Sequence, residues 1–335
     1  MKKFLTLILT FLLSLTFVFS LGCKEELPKG NINVKYYADA TDIRGMILAG
    51  KETIGLVPEP MATALQKSAV NQGKTLYRLD LQELYDSTEK AYPQAVLMVK
   101  KSVIGAHSGL LIELSQKIDG SVAWAKENAT LVVEAIGNHG STTLQAPALS
   151  QEAIDGCKIY WQGATDAKTS VKAYVDKIIE IDKNKAKAVS DDFFYSNETT
   201  TNSKSSYKFI TPDGAPAVAI SKLMYDGDNL STGKSISYEV VGSQQVRTSL
   251  ASGEADFILA PVNLASQLYK EHDNADHYVM VAVVTHGNFY IISTEQITFL
   301  DLKDKQIAVP MKGAVPDWTF QMVAKKHNLA CVTVE

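Results

Sequence analysis

Cysteine is scarce in this chain, with three in 335 residues, at positions 23, 157 and 331. So few thiols exclude a disulfide framework, and Cys157 and Cys331 read either as free thiols or as one pair. Histidine is nearly as rare. The six, at 107, 139, 272, 277, 286 and 327, show no metal-ligand spacing. No GxSxG, CxxC, HExxH or P-loop pattern occurs, which removes the sequence signatures of nucleophilic, redox, zinc and nucleotide chemistry. The expectation is a protein with no catalytic residue, no metal and no cofactor. Basic runs are missing as well. With 33 Lys and Arg against 37 Asp and Glu, the net charge is −4, which excludes a nucleic-acid partner held by phosphate neutralisation.

What is present begins with one long apolar run, from Phe4 to Leu21, behind Lys2 and Lys3 and followed by Gly22 and Cys23. A basic start and an apolar stretch form a secretory signal. The string SLGC at 20–23 resembles a bacterial lipobox, with Ser20 where leucine is usual. That resemblance implies cleavage after residue 22 and a lipid on Cys23, whereas an uncleaved anchor is the plainer reading of the same run. Residues 23–31 then form a short tether. The remainder, 46% apolar and 21% charged, has the composition of a globular chain long enough for two lobes.

An internal repeat organises that remainder. LASGEADFILAP at 250–261 aligns without gaps to ILAGKETIGLVP at 47–58, pairing Gly253 with Gly50, Pro261 with Pro58 and Arg247 with Arg44. The other half of the unit, FITPDGAPA at 209–217, aligns to IAVPMKGAVP at 307–316 with one extra loop residue. In copy one this half leads directly into the strand at 236–241. In copy two it stands near the C-terminus, while its continuation starts at Asn33. Joining residue 335 to residue 32 restores the order of copy one, so the chain reads as circularly permuted. A gene assembled out of order gives the same string.

Apolar strand-like runs alternate with helical periodicity in both copies, which predicts two α/β lobes with parallel strands and helical crossovers. Strands are expected at 207–210, 236–241 and 257–260 in one lobe and at 306–309, 33–37 and 54–57 in the other. Further strands are expected at 76–81 and 278–285. Helices are expected at 215–225, 243–252, 315–328, 41–49, 108–127, 150–156 and 166–184. The resulting division is 32–93 with 294–335 as lobe II, and 101–195 with 207–287 as lobe I. Strands 94–100 and 288–293 are the hinge candidates, and the apolar-free stretch 196–206 is a flexible linker between former termini.

Several motifs carry a family resemblance. They are TPDGAPA (211–217), SGEADFILAPVNLA (252–265), THGNFY (285–290), DLKDKQIAV (301–309), KGAVPDWTF (312–320) and VPEPMATA (57–64). The chain resembles the substrate-binding components of ABC importers in the nitrate/sulfonate/taurine group, over nearly the whole mature length. The resemblance implies a two-lobe, periplasmic-binding-protein-like type II fold, each lobe a mostly parallel sheet flanked by helices, here in circularly permuted order. It implies a small-molecule solute captured by hinge closure, permease and ATPase partners, and a lipid anchor on the outer face of the cytoplasmic membrane. A sensing or adhesion lipoprotein that keeps the binding fold, and a pyrimidine-synthase-like enzyme, are the alternatives.

Ligands of open α/β sheets sit beyond the carboxyl ends of the strands, at helix N-termini. This rule selects Thr211, Asp213, Gly214 and Ala215 in one lobe and Lys312, Gly313, Ala314 and Val315 in the other. Asn263 and Glu59 follow the third strand of each copy, and Gly287 with Asn288 enters the hinge. Pro212 and Gly214 serve equally well as a turn, Asp213 as a helix cap, and Trp318 as core packing. Counting Asp213, Glu59 and Asp317 against Lys312 gives a mixed cleft, and so an organic solute with a polar or nitrogenous portion rather than a bare inorganic anion.

Overall fold

The computed structural model describes residues 30–104, 108–144, 149–196, 204–227, 233–271 and 277–335. The expected signal, the expected lipidation site at Cys23 and most of the expected linker lie outside the described residues.

Among the described residues twelve strands lie in chain order: β1 (Gly30–Tyr37), β2 (Ile54–Pro58), β3 (Tyr77–Asp80), β4 (Ala95–Lys100), β5 (Ile159–Gly163), β6 (Ser206–Pro212), β7 (Ser235–Val241), β8 (Phe257–Pro261), β9 (Tyr278–Thr285), β10 (Phe289–Ser293), β11 (Gln306–Pro310) and β12 (Leu329–Val334). The helices are α1 (Ala40–Leu48), α2 (Met61–Val70), α3 (Leu81–Tyr85), α4 (Lys101–Ile104), α5 (Ser108–Glu127), α6 (Ala129–Asn138) and α7 (Gln151–Gly156) in the first half. The second half adds α8 (Ala164–Ile181), α9 (Ala215–Ala219), α10 (Ser221–Asp226), α11 (Ser243–Ser252), α12 (Val262–Leu268) and α13 (Val315–Lys326).

The strands form two six-stranded sheets, ordered β12-β1-β11-β2-β10-β3 and β5-β9-β4-β8-β6-β7. In the first, lobe II, only β10 runs against the others; in the second, lobe I, β4 and β5 do. The two-lobed, mostly parallel α/β layout expected from the sequence is therefore present. Its cause is visible in the strands. The runs YVMVAVVT in β9 and FILA in β8 are buried at every position, as sheets covered by helices on both faces require, whereas β7 and β12 at sheet edges are mixed.

The two sheets obey one plan. The sequence repeat equates β6, β7 and β8 with β11, β1 and β2, giving β7-β6-β8 in one lobe and β1-β11-β2 in the other. Each trio is followed by a strand from the opposite crossing, β4 or β10, and then by β9 or β3. The turn chemistry repeats too. Gly253 (φ +66°) and Gly50 (φ +71°) follow α11 and α1 in the left-handed region, where a β-carbon is costly.

Several local expectations change. The helix foreseen at 215–225 is two short helices meeting at Ile220, whose φ of −112° breaks the α-helical backbone. Gly30 and Asn31, placed in the tether, belong to β1. The hinge strands lie inside the sheets, β4 in lobe I and β10 in lobe II, and the chain crosses at residues 86–94 and 286–288. These crossings run side by side, with Tyr92 N donating to His286 O at 3.2 Å and Gln94 N to Thr285 O at 3.0 Å. The last segment forms β12, an edge strand parallel to β1 with Leu329 opposite Gly30 and Val334 opposite Lys35. Parallel neighbours start at the same end, so Val334 lies about 17 Å of strand from Gly30. The direct junction of residue 335 to residue 32 through a loop is thus corrected: strand stands on both sides of it.

One core links the lobes. Val96 and Met98 of β4, Ile258 of β8, Leu56 of β2, Ile291 of β10 and Phe320 of α13 share a single apolar cluster, and separate clusters fill the remaining face of each lobe. Helix α8 supplies Ala167, Val171, Tyr174, Val175 and Ile178 to it, the three-and-four spacing of one helical face. Tyr174 Oη and Thr319 Oγ1, 2.6 Å apart, join α8 to α13.

Candidate functional site

The first mouth loop connects β6 to α9. Gly214 there has φ +99° and ψ −145°, a conformation open to glycine, and a β-carbon on it would meet nothing within 4 Å. Asp213 is occupied by its own lobe. Its Oδ1 accepts from Ser141 Oγ and Gly214 N, both at 2.8 Å, and its Oδ2 from Thr142 N at 3.2 Å and Thr143 N at 3.3 Å. Neither a free ligand contact nor a cap of α9, this carboxylate fastens the chain that leaves α6. Thr211 and Ala215 are buried, and the Thr211 hydroxyl donates to Pro212 O at 3.2 Å.

The second mouth loop connects β11 to α13. Gly313 has φ +74°, and its N–H donates to Asp317 Oδ2 at 2.8 Å. Asp317 also accepts from Tyr36 Oη and Gln321 Nε2, both at 2.8 Å. Burial, followed by the charge of Asp317, pushes the Tyr36 phenol far above its ordinary range. Ala314 is the N-cap of α13 without a side-chain cap bond, and Val315 is buried. Lys312 turns toward β1 and β12, its Nζ 4.8 Å from the Tyr36 ring centre and 3.4 Å from Thr333 Oγ1. It does not share the surroundings of Gly313. Lys185 does: its Cε lies 3.6 Å from where a β-carbon on Gly313 would stand, and Trp318 Cζ2 lies at the same distance. Asn263 Nδ2 donates to Lys185 O at 3.3 Å, so the strand-end residue of lobe I holds the segment that reaches lobe II.

The crossing at residues 286–288 gathers the other three residues expected at the hinge. Asn288 Nδ2 donates to Glu59 O at 2.9 Å, Glu59 N donates to Asn288 O at 2.8 Å, and Gln94 Nε2 donates to Asn288 Oδ1 at 2.9 Å. Gly287 has φ +87°, and a β-carbon there would stand 2.6 Å from Tyr92 Cε1 and 2.7 Å from Gln82 Cγ. Glu59 is 1% exposed, and its carboxylate accepts from Thr63 N at 3.0 Å and Thr63 Oγ1 at 2.7 Å and pairs with Arg78 Nη1 at 2.9 Å. Arg78 stacks on the Tyr290 ring at 3.7 Å and faces Glu152 at 3.6 Å. Glu59 therefore ties the end of β2 to the crossing at 286–288, and its carboxylate is engaged by Thr63 and Arg78.

His286 is buried and stacked on Tyr160, with ring centres 3.5 Å apart, and burial pushes its pKa down to about 3. Cys157 and Cys331 are both free thiols, and burial raises both, Cys331 to about 12 with help from Asp317. Among the described residues no group of three His, Cys, Asp or Glu gathers as a metal site, and no helix is long and apolar enough to cross a membrane.

Sequence reasoning missed Lys185, Arg78, Gln94 and Gly156. Lys185 sits in KNKAK, which looks like any solvated loop, and Arg78 meets Glu59 only through the pairing of β3 and β2 with β10.

No family model matches the chain, and no curated protein matches it. Among solved structures it is similar to NikA from Brucella suis in complex with Fe(III)-EDTA, at 10% identity over 78% of this chain and 57% of that one, with a TM-score of 0.31. It is also similar to the periplasmic binding protein MelB from Agrobacterium fabrum bound to stachyose, at 9% identity over 77% and 46%, with a TM-score of 0.34. A third is the oligopeptide-binding protein of an ABC transporter from Thermotoga maritima bound to mannohexaose, at 11% identity over 77% and 54%, with a TM-score of 0.32. The chain spans about half the length of these structures. At such scores the architecture rests on the strand order and register given above.

Proposed function

We propose that the protein is the solute-binding component of an ABC importer. It captures a small organic solute, a sulfonate, a pyrimidine-type compound or a relative, between its lobes by hinge closure. The observation that carries this reading is the repeated mouth. Both lobes end the middle strand of the repeated trio, β6 or β11, in a proline and then a positive-φ glycine, Gly214 or Gly313, before a helix N-terminus. The two glycine N–H groups are held by Asp213 and Asp317, and the missing β-carbons leave room for a polar solute to approach the loop backbone closely. The side-by-side crossings at residues 86–94 and 286–288 supply a hinge.

The loop backbones at 211–215 and 312–315, with Asn263, are assigned to the binding surface, the Asp213 carboxylate and the Lys312 side chain being engaged elsewhere, and Gly287, Asn288 and Glu59 to the hinge that aligns it. A lipid on Cys23 holds the protein at the outer face of the membrane, where the permease and ATPase subunits use the closed form. The permuted order belongs to the same proposal, because the mouth residues of both copies are retained whichever end comes first. Native mass spectrometry of the purified protein tests the reading: a co-purifying solute below about 500 Da, released on unfolding, is expected for a cleft of ordinary ligand size. Protein that carries no solute, and takes up none from a panel of sulfonates and pyrimidines, contradicts it.

A further inference from the structure

The edge of a sheet is a row of main-chain donors and acceptors, which proteins keep from pairing with another chain by shortening, kinking, charging or covering it. The two sheets have four such edges. Strand β3 is four residues long, and Gln66 Nε2 donates to Leu76 O beside it at 3.0 Å. Strand β5 has an irregular register against β9, and its Trp161 N donates to Asp119 Oδ1 at 3.0 Å. Strand β7 is covered at Val240, whose N–H donates to His139 O at 2.7 Å. Among the described residues β12 has none of these devices. It keeps one unbroken register with β1 over six pairs, its sequence LACVTV holds no charge, proline or glycine, and Val332 on it is 41% exposed.

Which groups of β12 face outward follows from its neighbour. Asn33 N donates to Lys305 O and Met311 N to Tyr37 O, both at 2.9 Å, so the odd-numbered residues of β1 turn toward β11. The even-numbered ones, Gly30, Ile32 and Val34, therefore turn toward β12. In a parallel ladder such a residue bonds to the two that flank its partner, and the partner itself points away. The partners are Leu329, Cys331 and Thr333. Their N–H and C=O groups form the outer row, and among the described residues nothing pairs with it.

That row is complementary to itself. Turned about a two-fold axis at Cys331, a second copy of β12 runs antiparallel to the first, with Cys331 opposite Cys331 and Leu329 opposite Thr333 in both directions. All three outward residues then fall in hydrogen-bonded pairs, with α-carbons about 5.5 Å apart. A register shifted by two residues leaves one of them over. In the symmetric register the exposed Val332 meets Ala330 of the second copy and Glu335 meets His327, so no like charges face each other. We infer that β12 is the interface of a two-fold dimer of this protein, in which two lobe II sheets join edge to edge into one sheet of twelve strands. The interface uses neither mouth nor crossing, so it stands apart from the solute-binding reading. One strand pair is small beside a standard protein interface, and association should depend on concentration.

Sedimentation of the full-length chain in density-matched detergent tests the dimer, together with hydrogen–deuterium exchange read residue by residue through fragmentation mass spectrometry. A monomer at about 1 μM and a dimer at about 100 μM are expected. Between these concentrations the amides of Leu329, Cys331 and Thr333 should gain roughly tenfold protection, while those of Ala330 and Val332, bonded to β1, stay as they are. Cys331→Pro and Thr333→Pro each delete an outward donor that β1 does not use, and both are expected to remain monomers with nearly the thermal midpoint of the unmodified protein. Val332→Pro deletes a donor to β1 and is expected to lower that midpoint. If a proline variant does not fold, the exchange pattern of the unmodified protein decides. Three results overturn the dimer. They are a monomer whose outward amides exchange freely at both concentrations, a monomer whose outward amides are protected at both, which places another segment of the chain on the edge, and a dimer that survives both outward proline variants.

Discussion

Burial pushes the Glu59 carboxyl up, and the two Thr63 bonds and Arg78 pull it back, so the ionised form depends on a few fixed partners. Removing one partner of a buried pair leaves a charge with nothing to replace water. Arg78→Met is expected to cost about 3 kcal/mol in urea unfolding, and the double variant Glu59→Gln with Arg78→Met to recover most of that loss. His286 gives a second prediction at this scale. Its folded pKa, near 3, lies below the unfolded value of 6.5, so the folded state binds fewer protons. The neutral ring's contribution is complete above pH 6.5 and is lost as pH falls toward 3. Between pH 7 and pH 4 the wild-type unfolding midpoint should therefore drop further than that of His286→Asn, with Tyr160 and Gln162 as the groups that face the ring. Residue types at the mouths were legible from the sequence. Which of them were already taken was not, because Ser141, Tyr36 and Arg78 come from elements far along the chain.

At the scale of elements, α7 is one part of lobe I that docks on lobe II, beside α8. Gly156 O accepts from Tyr290 Oη at 3.1 Å, and a β-carbon at Gly156 would stand 2.7 Å from Glu59 Cγ. Gly156→Ala is expected to destabilise the protein by about 2 kcal/mol through overpacking, read from the thermal midpoint. Gly50 and Gly253 were readable as helix ends because left-handed backbone selects glycine, and the central strands because their apolar runs are unbroken. The break at Ile220 and the strand β12 were not readable. An interior isoleucine carries no stop signal, and CVTV is short enough to suit either a strand or a loop until β1 stands beside it.

For the whole molecule, the repeat that connects residues 250–261 to 47–58 extends to sheet order, to the crossing strands and to the glycine-bearing mouths. On the proposed reading the two lobes open and close about the segment around Gly287 and Asn288, and opening parts the core cluster that they share. The lobes meet here through Arg78 with Glu152, Tyr290 with Gly156 and Tyr174 with Thr319. Capture of a solute between them should therefore be visible as a change of size. Small-angle X-ray scattering of the protein with and without a solute identified by mass spectrometry is the most direct measurement of that claim. A smaller radius of gyration in the solute-bound sample is predicted, and an unchanged radius with a solute demonstrably bound would contradict it.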